Sequence, residues 1–186
     1  MKKILQKDAL VLRKKAVEVP VSTITSPKIK KIIAEMKEAL TSQDDGVAIA
    51  TPQIGYELRI FVVSRKAIKM AKKGKKQDVV EEIEKPADDL VFINPVIKKL
   101  SKEKISLEEG CLSVRYLYGK VNRHLKSTVE AYDENGKKFT KGASGILSQI
   151  FQHEIDHLNG ILFTDKAKYV EEILPENSNV KTQISN

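Results

Sequence analysis

The 186 residues, 41% of them hydrophobic, suffice for one domain around one sizeable core, and no apolar run reaches the length of a membrane span or of a signal-peptide core. A single cysteine excludes an intrachain disulfide framework and suits a reducing compartment, so the cytoplasm is the expected location, an organelle being compatible too. The formal net charge of +8 comes mainly from scattered Lys rather than Arg, with no nucleic-acid motif, which argues against specific DNA binding and for a solvated basic surface.

Ser26 and Pro27 read as the N-cap and first position of a helix, and Ile29, Ile32, Ile33, Met36 and Leu40 give it an apolar stripe to about Ser42. Arg59 to Val63 reads as a strand. The charged stretch 66–89 reads as a solvated insertion loop, with a lid or contact arm as the functional alternative. Leu90 to Ile93 is a second strand, and Ser106 to Leu112 a third, less cleanly alternating one. Val129 to Tyr132 leads into Asn135-Gly136, a strong hairpin signal, and Lys137 to Phe139 returns. A last helix follows, with Ser144 as the expected N-cap. The tail 175–186 is polar and expected to fray. The expected fold is α+β: short, mostly antiparallel strands packed around a buried catalytic helix, all within a single domain over 1–186.

That last helix carries His153-Glu154-Ile155-Asp156-His157, an H-E-x-x-H string. Two His four positions apart lie about one turn from each other on one face, so both can bind a single divalent ion. Glu154 sits beside the first, within reach of a metal-bound water as general base. Ile146, Ile150, His153 and His157 follow one helix face, so the His pair continues an inward stripe, where an unpaired imidazole is costly. A catalytic site needs a third protein ligand and an open position. The extended zincin pattern fails, because Phe163 stands at its last ligand position. His124, the downstream Glu171, Glu172 and Glu176, and the sole cysteine, Cys111, remain as candidates.

Three separated motifs now add up. Gly46-Val47-Ala48-Ile49-Ala50-Thr51-Pro52-Gln53 is similar to G-x-G-x-A-A-x-Q, Glu109-Gly110-Cys111-Leu112-Ser113 matches E-G-C-L-S, and Gln152 to His157 matches Q-H-E-x-D-H. In this order they resemble the peptide deformylases, metal hydrolases that remove the formyl group from the N-terminal methionine of new proteins. The resemblance covers roughly the first 165 residues and implies the same α+β fold. It implies Cys111, His153 and His157 as metal ligands and Glu154 as general base and later acid. It implies Gln53 and the backbone N–H of Leu112 as donors to the oxyanion. It favours ferrous iron in the active form, although a Cys-His-His set also accepts zinc, nickel or cobalt.

The substrates so implied are formyl-methionyl nascent polypeptides. Ile146 and Ile150, in phase with His153, are the expected wall of the methionine pocket. The peptide backbone is expected to lie extended along Gly46, Val47 and Ala48 by strand addition. Net positive charge would aid a loose, salt-sensitive encounter with the ribosome surface. Two residues depart from the first motif: Ala48 stands where the family has glycine, and Thr51 where it has alanine. Both are candidate marks of an altered substrate range. A different metal-dependent hydrolase on the same scaffold and a non-enzymatic binding protein are the alternatives; a binder has no need of Glu154.

Overall fold

Ile60, Phe61, Val62 and Val63 are four consecutive apolar residues, all fully buried, so this strand is covered on both faces. The computed structural model describes residues 2–73 and 88–174 of the chain. Strand β1 (Ala48–Ala50) pairs with β2 (Ile60–Val63), which pairs with β3 (Leu90–Leu100). The hairpin β6 (Lys126–Tyr132) and β7 (Lys138–Ser144) completes a five-stranded antiparallel sheet in the order β1-β2-β3-β6-β7. A second sheet holds β4 (Lys104–Cys111), β5 (Val114–His124) and β8 (Val170–Glu172).

Side-chain alternation divides the large sheet between two cores. Ile49, Ile60, Val62, Val91 and Ile93 point to helix α1 (Pro27–Thr41), packing with Ile29, Ile32, Ile33, Met36 and Leu40. Ala48, Ala50, Phe61, Val63 and Phe92 point the other way, to Ile150, Phe151, Ile155 and Leu158 of the last helix, Ile146–Leu158. Phe61 and Phe92 stack at 4.4 Å, and Phe151 tilts against Phe92 at 4.9 Å. The α+β expectation, antiparallel strands included, is what the chain adopts.

Ser26 caps α1, its hydroxyl accepting from Ile29 N–H, with Pro27 opening the first turn. At the Asn135-Gly136 turn Gly136 takes φ +79°, and Asp133 accepts from the N–H groups of Asn135 and Lys137. Two expectations need correction. The charged stretch does not begin as a loop: Arg65–Lys73 is helix α2, and its Ala67 and Ile68 are buried in the core. An apolar pair one turn into a Lys-rich segment is enough to seat a short helix. The remainder, 74–87, and the tail 175–186 lie outside the described residues. Nor does Ser144 cap the last helix, here α3. It ends β7, and Gly145 takes the N-cap position at φ +56°, a backbone angle that suits glycine.

Candidate metal and hydrolytic site

Helix α3 is buried between the two sheets and aims His153, Glu154 and His157 at the end of β4, where Cys111 sits. The ligating atoms of Cys111, His153 and His157 all lie within 4.8 Å of one another, and Cys111 Sγ is 3.2 Å from His157 Nε2. Among the described residues no other group of His, Cys, Asp and Glu forms such a cluster. His124 is elsewhere, its Nδ1 2.5 Å from Ser101 O, and Glu171 and Glu172 are exposed on β8.

The donor set suits a cation. Burial pushes the Cys111 thiol up, but the facing imidazoles of His157 and His153 outweigh it and bring its pKa down to about 5. Burial likewise opposes a charge on His153, yet the Cys111 sulfur and the Glu109 carboxylate hold its pKa well above the ordinary value. A thiolate between two imidazoles is a ligand set for a borderline-soft divalent ion, which would displace that proton. His153 Nδ1–H donates to Glu109 at 2.9 Å, leaving Nε2 free to ligate. Two buried atoms, Glu154 Oε2 and His157 Nδ1, have no hydrogen-bond partner among the described residues. Burial raises the Glu154 pKa to about 7, against the opposing pull of the two imidazoles. A carboxylate poised near neutrality can both take and return a proton.

Gln53 comes from the short helical turn Thr51–Ile54 and is buried. Its Oε1 accepts from Ala50 N–H at 2.7 Å, which fixes the amide's orientation. Its Nε2 then donates to Ser113 Oγ at 3.2 Å and reaches Cys111 Sγ at 3.6 Å. Leu112 occupies the two-residue turn between β4 and β5, and Ser113 N–H donates to Cys111 Sγ. These residues open onto a cleft of about 320 Å³, lined by Val47, Ala48, Gln53, Cys111, Leu112, Ile146, Ile150, His153 and Glu154, among others. Gly110 packs under the Tyr118 ring, where a Cβ would meet the ring at 2.8 Å.

The expected substrate residues therefore gather at one cleft, with one exception. Gly46 is absent from its lining and packs against Leu40 at the end of α1, where a Cβ would lie 2.9 Å from Cδ1. That close approach leaves no room for a side chain there. Of the two departures, Ala48 faces the cleft and Thr51 does not. Thr51 is fully buried and its hydroxyl contacts the carbonyls of Leu58 and Ile60. A buried hydroxyl that ties down its own loop explains that residue without reference to substrate.

One layer was not read from the sequence. Arg123, on β5, forks onto both oxygens of Glu109 at 2.7 and 2.9 Å and onto Asp156 at 2.6 Å. Lys166 closes on Asp156 at 2.6 Å. Burial alone would raise Glu109, but the hydrogen bonds from Arg123 and His153 bring its pKa to about 2. Glu109, so held as an anion, orients the His153 ring. Nothing in the sequence singled out Arg123 from the chain's other arginines as the partner of these carboxylates.

The polypeptide deformylase family model matches residues 1–172. "Peptide deformylase 1A, chloroplastic/mitochondrial" of Arabidopsis thaliana is 40% identical over 158 residues, which cover 84% of this chain and 57% of that protein's length. "Peptide deformylase 2" of Clostridium acetobutylicum is 38% identical over 155 residues, covering 83% of this chain and 87% of that one. The crystal structure of the peptide deformylase from Thermotoga maritima superposes with a TM-score of 0.74 at 30% identity, over 91% of this chain and 99% of that one. With its fold and its sequence matched along nearly the whole length, the chain belongs to the polypeptide deformylase family.

Proposed function

We propose that the chain, acting as a single catalytic domain, hydrolyses the N-formyl group from the formyl-methionine that begins newly made proteins. The observation that carries this reading is that Cys111, His153, Glu154 and Gln53 line one cleft, with His157 clustered on Cys111 and His153, in a member of this family. Cys111, His153 and His157 would hold the divalent cation, ferrous iron in the active form, with zinc, nickel or cobalt accepted by the same donors. When bound, the cation lowers the pKa of water and polarises the formyl oxygen.

The residues do the rest. Glu154, with its pKa near 7, takes the proton of the attacking water and returns it to the leaving amine. Gln53 Nε2 and Leu112 N–H donate to the oxygen on which charge builds. The orientation of Gln53 is already fixed by Ala50 N–H, so little reorganisation is needed at the moment of reaction. Ala48 of strand β1, at the edge of its sheet, and Val47 just before it offer their backbone to an extended peptide, while Ile146 and Ile150 form the apolar wall for the methionine side chain. That arrangement reads the first side chain and tolerates the rest, as a substrate class of many different nascent chains requires.

No helix among the described residues is long and apolar enough to cross a membrane, and we place the protein in the cytoplasm, with a loose, charge-driven encounter at the ribosome surface. Formate release from a formyl-methionyl peptide by anaerobically prepared protein, with metal content measured, tests the activity. Glu154→Gln should keep the metal and lose about 100- to 10,000-fold in turnover. Near-normal turnover in a variant that retains its metal removes Glu154 from the role of base.

A further inference from the structure

We propose that Gln6 is a positioning residue for the oxyanion donors, acting from an N-terminal strap that nothing in the motifs points to. The inference rests on the reading of Gln53 Nε2 and Leu112 N–H as those donors. Gln6 is exposed, yet its amide spans the turn that carries Leu112. Its Nε2 donates to Leu112 O at 3.1 Å, and its Oε1 accepts from Arg115 N–H at 3.3 Å. One side chain thus holds both sides of the turn between β4 and β5. The residue before it does the same for the other donor: Leu5 N–H donates to Gln53 O at 2.8 Å, fixing the backbone from which the Gln53 amide projects.

The strap is itself anchored. Ile4 packs against the core on the α1 side of the sheet, and the Lys2 ammonium lies 4.8 Å from the Tyr56 ring centroid. Leu5 and Gln6 therefore bridge two segments, around Gln53 and Leu112, that lie 59 positions apart in the chain. The need is physical. A donor stabilises developing charge only if it is held where that charge will appear. The turn around Leu112 has only two residues between its strands, and Tyr116 just beyond it takes φ +63°, an angle unfavourable for a side chain of that size. External hydrogen bonds keep such a turn in one conformation.

The test uses the metal-loaded full chain. Gln6→Met keeps the reach of the side chain and removes both hydrogen bonds to the turn, along with the 3.4 Å one from Nε2 to Ile4 O within the strap. Gln6→Glu keeps an acceptor for Arg115 N–H but cannot donate to Leu112 O, and it serves should the first variant fold poorly. Each should lower kcat for a formyl-methionyl peptide by about 10-fold, less than the 100- to 1,000-fold typical of deleting an oxyanion donor. KM and metal content should not change, and the amides of Leu112 and Arg115 should exchange faster with solvent. Gln53→Met is measured beside them. If it loses kcat while both Gln6 variants keep theirs, or lose activity only through KM or metal content, the role of Gln6 is overturned and the oxyanion reading survives. If Gln53→Met leaves kcat unchanged, the oxyanion reading fails and the role of Gln6 fails with it.

Discussion

Ala48 and Thr51 look alike in the sequence, as two departures in one motif, and the structure separates them. Ala48 lines the cleft, so Ala48→Gly should preserve or raise kcat/KM for formyl-methionyl peptides if the methyl obstructs the peptide's backbone. Thr51→Val should leave KM alone, because its hydroxyl serves the carbonyls of Leu58 and Ile60, and should cost about 1–3 kcal/mol of stability through their lost partner. Steady-state kinetics and denaturant titration of the two variants check both. A change in KM for Thr51→Val at unchanged stability would reverse the assignment. The His pair was legible as a candidate because His153 and His157 are one helical turn apart, whereas Cys111 and Gln53, far from them in the chain, joined the candidate site only through the resemblance of their motifs. Arg123 was not legible as a partner of Asp156, since 33 positions separate them and only the fold joins them.

Elements whose signals are local were equally legible. Ser26-Pro27 opens α1, and Asn135-Gly136 turns β6 into β7. Strand β5 was not expected, because Arg115 to Lys120 lacks clean alternation; its pairing with β4 along Lys104 to Cys111 decides it. Strand β8 was hidden for the same reason. Val170 to Glu172 is exposed and polar, and the free edge of β5 at Leu117 to Gly119 holds it. Between β4, β5 and α3 stands the buried Glu109–Arg123–Asp156 group, which makes a further prediction. The folded pKa of Glu109, about 2, lies below its ordinary 4.5, so its contribution to stability is complete above pH 4.5 and is lost as pH falls toward 2. The full contribution is roughly 3 kcal/mol. Arg123→Met should destabilise the protein by about 3–5 kcal/mol at neutral pH, by leaving buried carboxylates without their cation. It should also flatten the dependence of stability on pH between 5 and 3. Denaturant midpoints of chelated protein, in which loss of metal cannot contribute, measure both effects. A variant as acid-sensitive as the parent would show that Arg123 does not hold the Glu109 charge.

At the scale of the molecule, α1 and α3 cover opposite faces of one sheet, and the second sheet meets α3 along a polar seam that runs from Cys111, Arg123 and Asp156 to the bonds of Gln149 with Glu108 and of Ser148 and Gln152 with His124. A cation shared by Cys111 and the two His would therefore join the small sheet to α3. Stripping it with a chelator should lower Tm, by an amount equivalent to about 2.7 kcal/mol where free metal had stood at 100 times Kd. Readdition of metal should restore the original melting curve. An unchanged Tm in protein shown to be metal-free would mean that the seam holds without the ion.

The position of β1 at the edge of the large sheet has a consequence for solubility. The edge of Ala48, Ile49 and Ala50, where Gln53 already takes Ala50 N–H, is a template for an extended chain, including a second copy or an unfolded neighbour. Its protection comes from its length, three residues, and from its place at the bottom of a cleft with Tyr118, Arg115 and Ile146 at the walls. A chain must enter as a single free strand to reach it. Walls that would admit the free N-terminus of the proposed substrate would also keep folded proteins and broad aggregating surfaces away from the edge.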